Sequence, residues 1–124
     1  MLTHKTGQLN AQIPAESAIG AFTYGRKDDL VNTYILYQDT DGVLQVRWQS
    51  NTSGWMGPQT YPALADADMG TDITCLTQPA WDETKVTLSS ATDMNRCYFQ
   101  SGGKVKEVRF DGGDWKDLGF IPMP

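Results

Sequence analysis

Residues 33–49 (TYILYQDTDGVLQVRWQ) and 95–111 (NRCYFQSGGKVKEVRFD) align without a gap at a step of 62 residues. Gln38 falls on Gln100, Val43 on Val105, Val46 on Val108 and Arg47 on Arg109. Aromatic character is kept where Tyr37 meets Phe99 and Trp48 meets Phe110. The echo runs on: Pro62 follows Trp55 at the spacing with which Pro122 follows Trp115. A recurrence of this period, built from short β-prone runs and turns, restricts the chain to repeated β-sheet units. One such unit cannot cover both of its faces, so it stacks on neighbours. The chain therefore reads as all-β, with about two four-stranded antiparallel repeats.

At 124 residues the chain fits a single domain. We divide it into a tail or outer strand (1–16), a first repeat (17–63) and a second repeat (64–124). Its 40% hydrophobic and 20% charged content is that of a globular protein rather than a disordered one. No apolar run approaches the length needed to span a bilayer. No basic stretch followed by an apolar one opens the chain, which predicts a cytoplasmic location or export without a signal peptide. Ten basic residues against 15 acidic ones give a formal charge of −5. Nucleic acid and anionic membrane both want a cationic face, so neither is expected as a partner. Lys104, Lys106 and Arg109 are in any case interleaved with Glu107 and Asp111.

Strand signals dominate. Candidate strands cover 18–24, 34–38, 43–48, 55–61, 72–77, 85–91 and 115–121, besides the two strands of the second copy. Asp41-Gly42 between β-prone runs marks a hairpin, and Ser101-Gly102-Gly103 takes its place in the second copy. Asp39-Thr40-Asp41-Gly42 has the look of a calcium loop but lacks the remaining ligands, so it reads as a turn. The acidic stretch 63–72 reads as a solvated linker, and 8–13 as an outer strand closing a sheet edge. No segment carries helical apolar spacing with caps. Cys75 and Cys97 stand in no metal-ligand spacing and the only histidine is His4, so no metal or other cofactor is expected. The two cysteines could pair once, but two small buried apolar side chains are the plainer reading.

In the second copy Arg96, Glu107 and Trp115 stand out. Antiparallel pairing about the Ser101–Gly103 turn brings Arg96 and Glu107 near each other, and Trp115 follows the next turn. Charged groups fix sugar hydroxyls through directional hydrogen bonds, and an indole covers an apolar sugar face. The segment Arg96-Cys97-Tyr98-Phe99-Gln100, then Val105-Lys106-Glu107, then Gly112-Gly113-Asp114-Trp115, resembles the blade pattern of the fungal fucose-specific lectins and their bacterial two-blade relatives. That resemblance implies a six-bladed β-propeller, closed here by three two-repeat chains, binding fucose or a similar small sugar between blades. It implies polar clamps at Arg96 and Glu107, with Tyr98 beside them, and a stacking platform at Trp115. In the first copy Tyr34 stands for Arg96 and Gln45 for Glu107, with only Trp55 retained, so that site is altered or lost. Tyr34, Gln45, Trp55 and the loop aromatic Trp81 complete the candidate ligand residues.

Plainer readings stand beside these. Arg96 and Glu107 also suit a surface ion pair, and the recurrence of Trp55 as Trp115 suits packing. No nucleophile sits near a base, and no two carboxylates are singled out, so no catalytic residue is assigned. The alternatives to a lectin are a cofactor-free enzyme on the same scaffold, with an apolar pocket of Tyr34, Trp55 and Trp81, or a protein-interaction module.

Overall fold

The computed structural model describes residues 3–4, 7–8, 13–24, 32–50, 54–77, 95–110 and 113–122. Strands β1 (Thr3–His4) and β2 (Gly7–Gln8) make a two-residue hairpin. Sheet 1 then runs β3 (Ile19–Tyr24), β4 (Asn32–Gln38), β5 (Leu44–Ser50) and β6 (Met56–Gln59) in sequence order. Sheet 2 repeats the plan with β7 (Ile73–Thr77), β8 (Asn95–Ser101), β9 (Lys104–Phe110) and β10 (Trp115–Phe120). All neighbours are antiparallel. The one helical element among the described residues is a 3-10 turn, Pro62–Leu64. The strand expected at 85–91 lies outside the described residues, as does Trp81. Of the outer strand expected at 8–13, Gln8 pairs with Thr3 rather than with either sheet, and residues 9–12 lie outside the described residues.

The hairpin turns differ by one residue, and this corrects the ungapped alignment. In sheet 1 Gln38 pairs with Leu44, whereas in sheet 2 Gln100 pairs with Val105. With β4 laid on β8 at a step of 62, the pairing of Leu36 with Val46 matches that of Tyr98 with Glu107. The true counterpart of Glu107 is therefore Val46, and Gln45 faces the other way, because side chains alternate along a strand. Trp48 likewise answers to Arg109, and Met56 to Lys116, since each pair shares its place in the ladder.

The faces follow from this registration. We call forward the face of each sheet that carries Tyr34, Leu36 and Gln38, or Arg96, Tyr98 and Gln100. The forward face of sheet 1 packs on the rear face of sheet 2, where Ile73, Cys97, Phe99, Val108, Phe110 and Trp115 lie buried. Phe22 stacks on Tyr34 at 5.1 Å between centroids, and Tyr34 meets Phe110 at 4.7 Å. Phe22 meets Trp115 edge-on at 5.7 Å. Fully burying such a side chain contributes roughly 1.5–3 kcal/mol, so this aromatic and aliphatic seam is the main source of cohesion. The innermost strands β3 and β7 approach closely at Gly20, where a Cβ would stand 2.6 Å from Ile73 Cγ2 and 2.8 Å from Cys75 Sγ.

Cys75 and Cys97 are directly opposed on β7 and β8 and form a disulfide on that rear face, which corrects the expectation of two unpaired thiols. The connector between sheets is anchored rather than solvated. Ala63 and Leu64 are buried in the seam. The Asp68 carboxylate accepts from Gly102 N (2.7 Å) and Gly103 N (2.8 Å), capping the β8–β9 turn. Both glycines have positive φ, +59° and +76°, as a two-residue hairpin loop requires. Gln38, buried at the end of β4, donates to Gly42 O (2.8 Å) and Asp68 O (2.9 Å) and accepts from Gly70 N (2.8 Å). One connector is thus bonded to both sheets.

Candidate functional site

The forward face of sheet 2 holds the polar residues that the sequence singles out. Arg96 and Tyr98 alternate with buried Cys97 and Phe99 along β8, and Glu107 stands opposite Tyr98 on β9. Arg96 Nη1 donates to Glu107 Oε2 at 3.1 Å, and the Tyr98 hydroxyl donates to the same oxygen at 2.8 Å. Both bonds fall on Oε2, so among the described residues Oε1 is left to accept from elsewhere. The Arg96 side chain is 36% exposed and that of Glu107 22% exposed, so the group sits half out of water. Burial first, and then the hydrogen bond to Glu107, push the Tyr98 hydroxyl above its ordinary range, although Arg96 opposes them. Tyr98 is held as a neutral donor.

Beside this group an open cleft of about 200 Å³ is lined by Asp72, Thr74, Tyr98, Phe99, Gln100 and Val105. Asp72 and Thr74 do not stand out as ligand residues in the sequence, and Gln100 does so only as part of the repeat and blade pattern. Their common face follows from period-2 alternation once β7 is placed beside β8. The site thus offers a guanidinium, a phenol, a carboxylate oxygen and, in the cleft, the apolar Phe99 and Val105 with carboxylate, amide and hydroxyl groups. Such a set can grip a small polyhydroxylated molecule.

The other candidate residues lie elsewhere. Trp115, expected as the stacking platform, is 4% exposed and packs on the rear face among Phe22, Tyr61 and Phe110. It is a seam residue, turned away from Arg96 and Glu107. Tyr34 fills the same seam rather than lining a cavity. Gln45 is committed to the β4–β5 turn, where its amide donates to Asp39 Oδ2 at 2.9 Å. Asp39 Oδ1 accepts from Asp41 N and Val43 N, so this carboxylate organises a turn. No group of described residues is arranged to hold a metal ion. Trp55 precedes β6 and is half-buried. Trp81, one of the three residues of the apolar pocket that an enzyme reading needs, is outside the described residues.

The sequence groups Lys106 with the surface bases, yet only 7% of its side chain is exposed. It bonds Asp66 (2.5 Å) in the connector and Asp117 (2.9 Å) on β10, with its ammonium 5.2 Å from the Phe120 ring centroid. Burial works against its charge, but the two carboxylates outweigh this and hold its pKa above the ordinary 10.5. Lys106 is a clamp for the rear face.

The sequence matches no family model and no curated protein. Among solved structures the chain is similar to the crystal structure of AofleA from Arthrobotrys oligospora, with a TM-score of 0.64 and 26% sequence identity. The match covers 89% of this chain and 29% of that chain, so this chain spans about a third of its neighbour's length. The likeness shows the fold. The two sheets are four-stranded blades of the β-propeller type.

Proposed function

We propose that the chain is a carbohydrate-binding module of the fucose-lectin kind, and that it takes a small sugar on the forward face of sheet 2 without chemical change. One observation carries this reading. Equivalent faces of the two repeats are built for different purposes. The forward face of sheet 1 presents Phe22, Tyr34, Trp48 and Met56 in one cross-strand row and Leu36 opposite Val46 in the next. The same places in sheet 2 hold Leu76, Arg96, Arg109 and Lys116, then Tyr98 opposite Glu107. The first row is a docking surface for a blade. The second keeps charged groups and hydrogen-bonding hydroxyls in those places, and since such groups are costly to bury without partners, a ligand held between blades would satisfy them.

The stacking partner in this reading comes from another copy. Trp115, on the rear face of sheet 2, packs against the forward face of sheet 1. Trp55 is its counterpart in sheet 1, since Gln59 and Gly119 occupy matching ladder positions at the same step. A second copy laid on sheet 2 as sheet 2 lies on sheet 1 would bring its own Trp55, not Trp115, toward Arg96. The reading takes three chains to one six-bladed ring, since each supplies two blades. The Cys75–Cys97 disulfide favours export over the cytoplasm as its setting.

Titration calorimetry against a panel of monosaccharides, L-fucose included, tests the site. Arg96→Ala and Glu107→Gln should each weaken binding by tenfold or more, as loss of a charge-assisted hydrogen bond costs about 1.5–3 kcal/mol. Wild-type affinity in both variants would remove the assignment.

A further inference from the structure

Among the described residues, the face that carries the proposed sugar site also carries a row of cations on three adjacent strands. Arg96 pairs with Arg109 across β8 and β9, and Arg109 pairs with Lys116 across β9 and β10, so three cations stand in one row. Like charges directly opposed on adjacent strands repel and destabilise a sheet. Glu107 is the one carboxylate in the neighbouring row on β9, and it is bonded to Arg96 and Tyr98. Among the described residues no carboxylate lies within ion-pair reach of Arg109 or Lys116, and Arg109 Nε is buried without a hydrogen-bond partner. This row belongs to a chain whose formal charge is −5. In sheet 1 the equivalent places are Tyr34, Trp48 and Met56, so the charges are no requirement of the blade itself.

Among the described strand residues, ring closure brings the row no carboxylate. The surface that a second copy would bring is the rear face of sheet 1, and its strand residues include Arg47 and no carboxylate. Arg47 Nε is likewise buried and unpartnered. Polar atoms and cations left in this state ask for an external acceptor.

We propose that the saccharide bound here is acidic, its carboxylate or sulfate group held by Arg109 and Lys116 while Arg96, Tyr98 and Glu107 take its hydroxyls. The geometry orients the ligand. Asp72 stands at the cleft on the β7 side and repels an anion, whereas Arg109 and Lys116 lie toward β10. The charged end points to β10 and the neutral end enters the cleft. A guanidinium suits this role because its fork matches a carboxylate or sulfate in two parallel bonds.

This inference rests on the sugar reading, and one experiment separates the two. Calorimetric titrations compare a neutral saccharide with its uronic-acid and its sulfated forms, at low and at physiological salt. Wild type should bind a charged form at least tenfold more tightly, with the advantage shrinking as salt rises. The Arg109→Gln/Lys116→Gln double variant should lose that advantage while binding the neutral form as before. The carboxylated and sulfated arms tell which anion is preferred. Equal affinity for neutral and charged forms in wild type overturns the anionic inference and leaves the sugar site standing. Failure of every saccharide overturns both. The salt dependence is read on wild type, so the test holds even where the double variant fails to fold.

Discussion

Single residues decide how closely the two sheets meet and which face takes a ligand. Gly20 is the clearest case, because a methyl there would collide with Ile73 and with the disulfide sulfur of Cys75. Gly20→Ala should destabilise the fold by roughly 1–3 kcal/mol, the usual cost of overpacking, read as a lower midpoint in denaturant. Asp68 holds two turn amides at once, so Asp68→Ala should cost about 0.5–1.5 kcal/mol through loss of these bonds, water replacing them at the exposed turn, while Asp68→Asn should recover part of it. The two equivalent tryptophans should separate cleanly. Trp115→Ala should cost about 3–5 kcal/mol in unfolding free energy, as expected of a large side chain lost from a packed seam. Trp55→Ala should chiefly weaken sugar binding; a variant that binds sugar as wild type does would end its role in the site. Val46 stands in the first copy where Glu107 stands in the second, so the proposed clamp has no counterpart there.

Among the elements, the hairpins were legible and their registration was not. Alternating β-prone residues with Asp-Gly or Gly-Gly between them located β4, β5, β8 and β9 to within two residues, since both strand period and turn chemistry are local. The one-residue difference in turn length is also local, but an ungapped alignment conceals it and moves Glu107 from the level of Val46 to that of Gln45. The disulfide was not legible because β7 reaches β8 only after a long intervening segment. That pairing is decided by which strand lies innermost, and spacing does not carry this. The connector misled because three aspartates in ten residues look solvated. Their partners, Lys106 on β9 and the amides of the β8–β9 turn, lie about 35 to 40 residues further along. The Lys106 clamp has a pH signature. Burial raises the Asp66 carboxyl, but bonds from Lys106 and Ser101 prevail and leave it below the ordinary 3.8; the bond from Lys106 lowers Asp117 likewise. Carboxyl groups with depressed values stabilise the fold above about pH 3.8 and lose that contribution as pH falls through their lowered values. Lys106, raised above 10.5, contributes below that value and ceases to do so as pH climbs through its folded one. Thermal midpoints should therefore be level from about pH 5 to 9 and decline on both sides. Lys106→Met should flatten the acid limb; an unchanged limb would show the clamp to be inert. Asp66 and Asp117 are about half exposed, so the effect is a modest one.

For the whole molecule, forward-on-rear stacking is the organising fact. Two blades joined this way leave the forward face of sheet 2 and the rear face of sheet 1 as unlike ends, so in the proposed ring copies would join head to tail. Sedimentation at micromolar concentration should find a particle of three chains; a strictly monomeric one would remove the ring while leaving the blades intact. The fold class was legible from the 62-residue echo alone, because two sheets of one design must share a way of packing. The occupancy of each face was not, since it depends on registering β4 with β8 and β5 with β9 separately.

Head-to-tail joining also carries no stop signal of its own. Each added copy turns the assembly by one fixed step, and growth ends only when the accumulated rotation returns to its start. If a substitution at the β3–β7 approach around Gly20 changed the angle between blades by a few degrees, the third copy would miss the first. Such a variant, still folded, should then elongate into an open helical filament visible by electron microscopy, whereas the proposed ring predicts discrete discs for wild type.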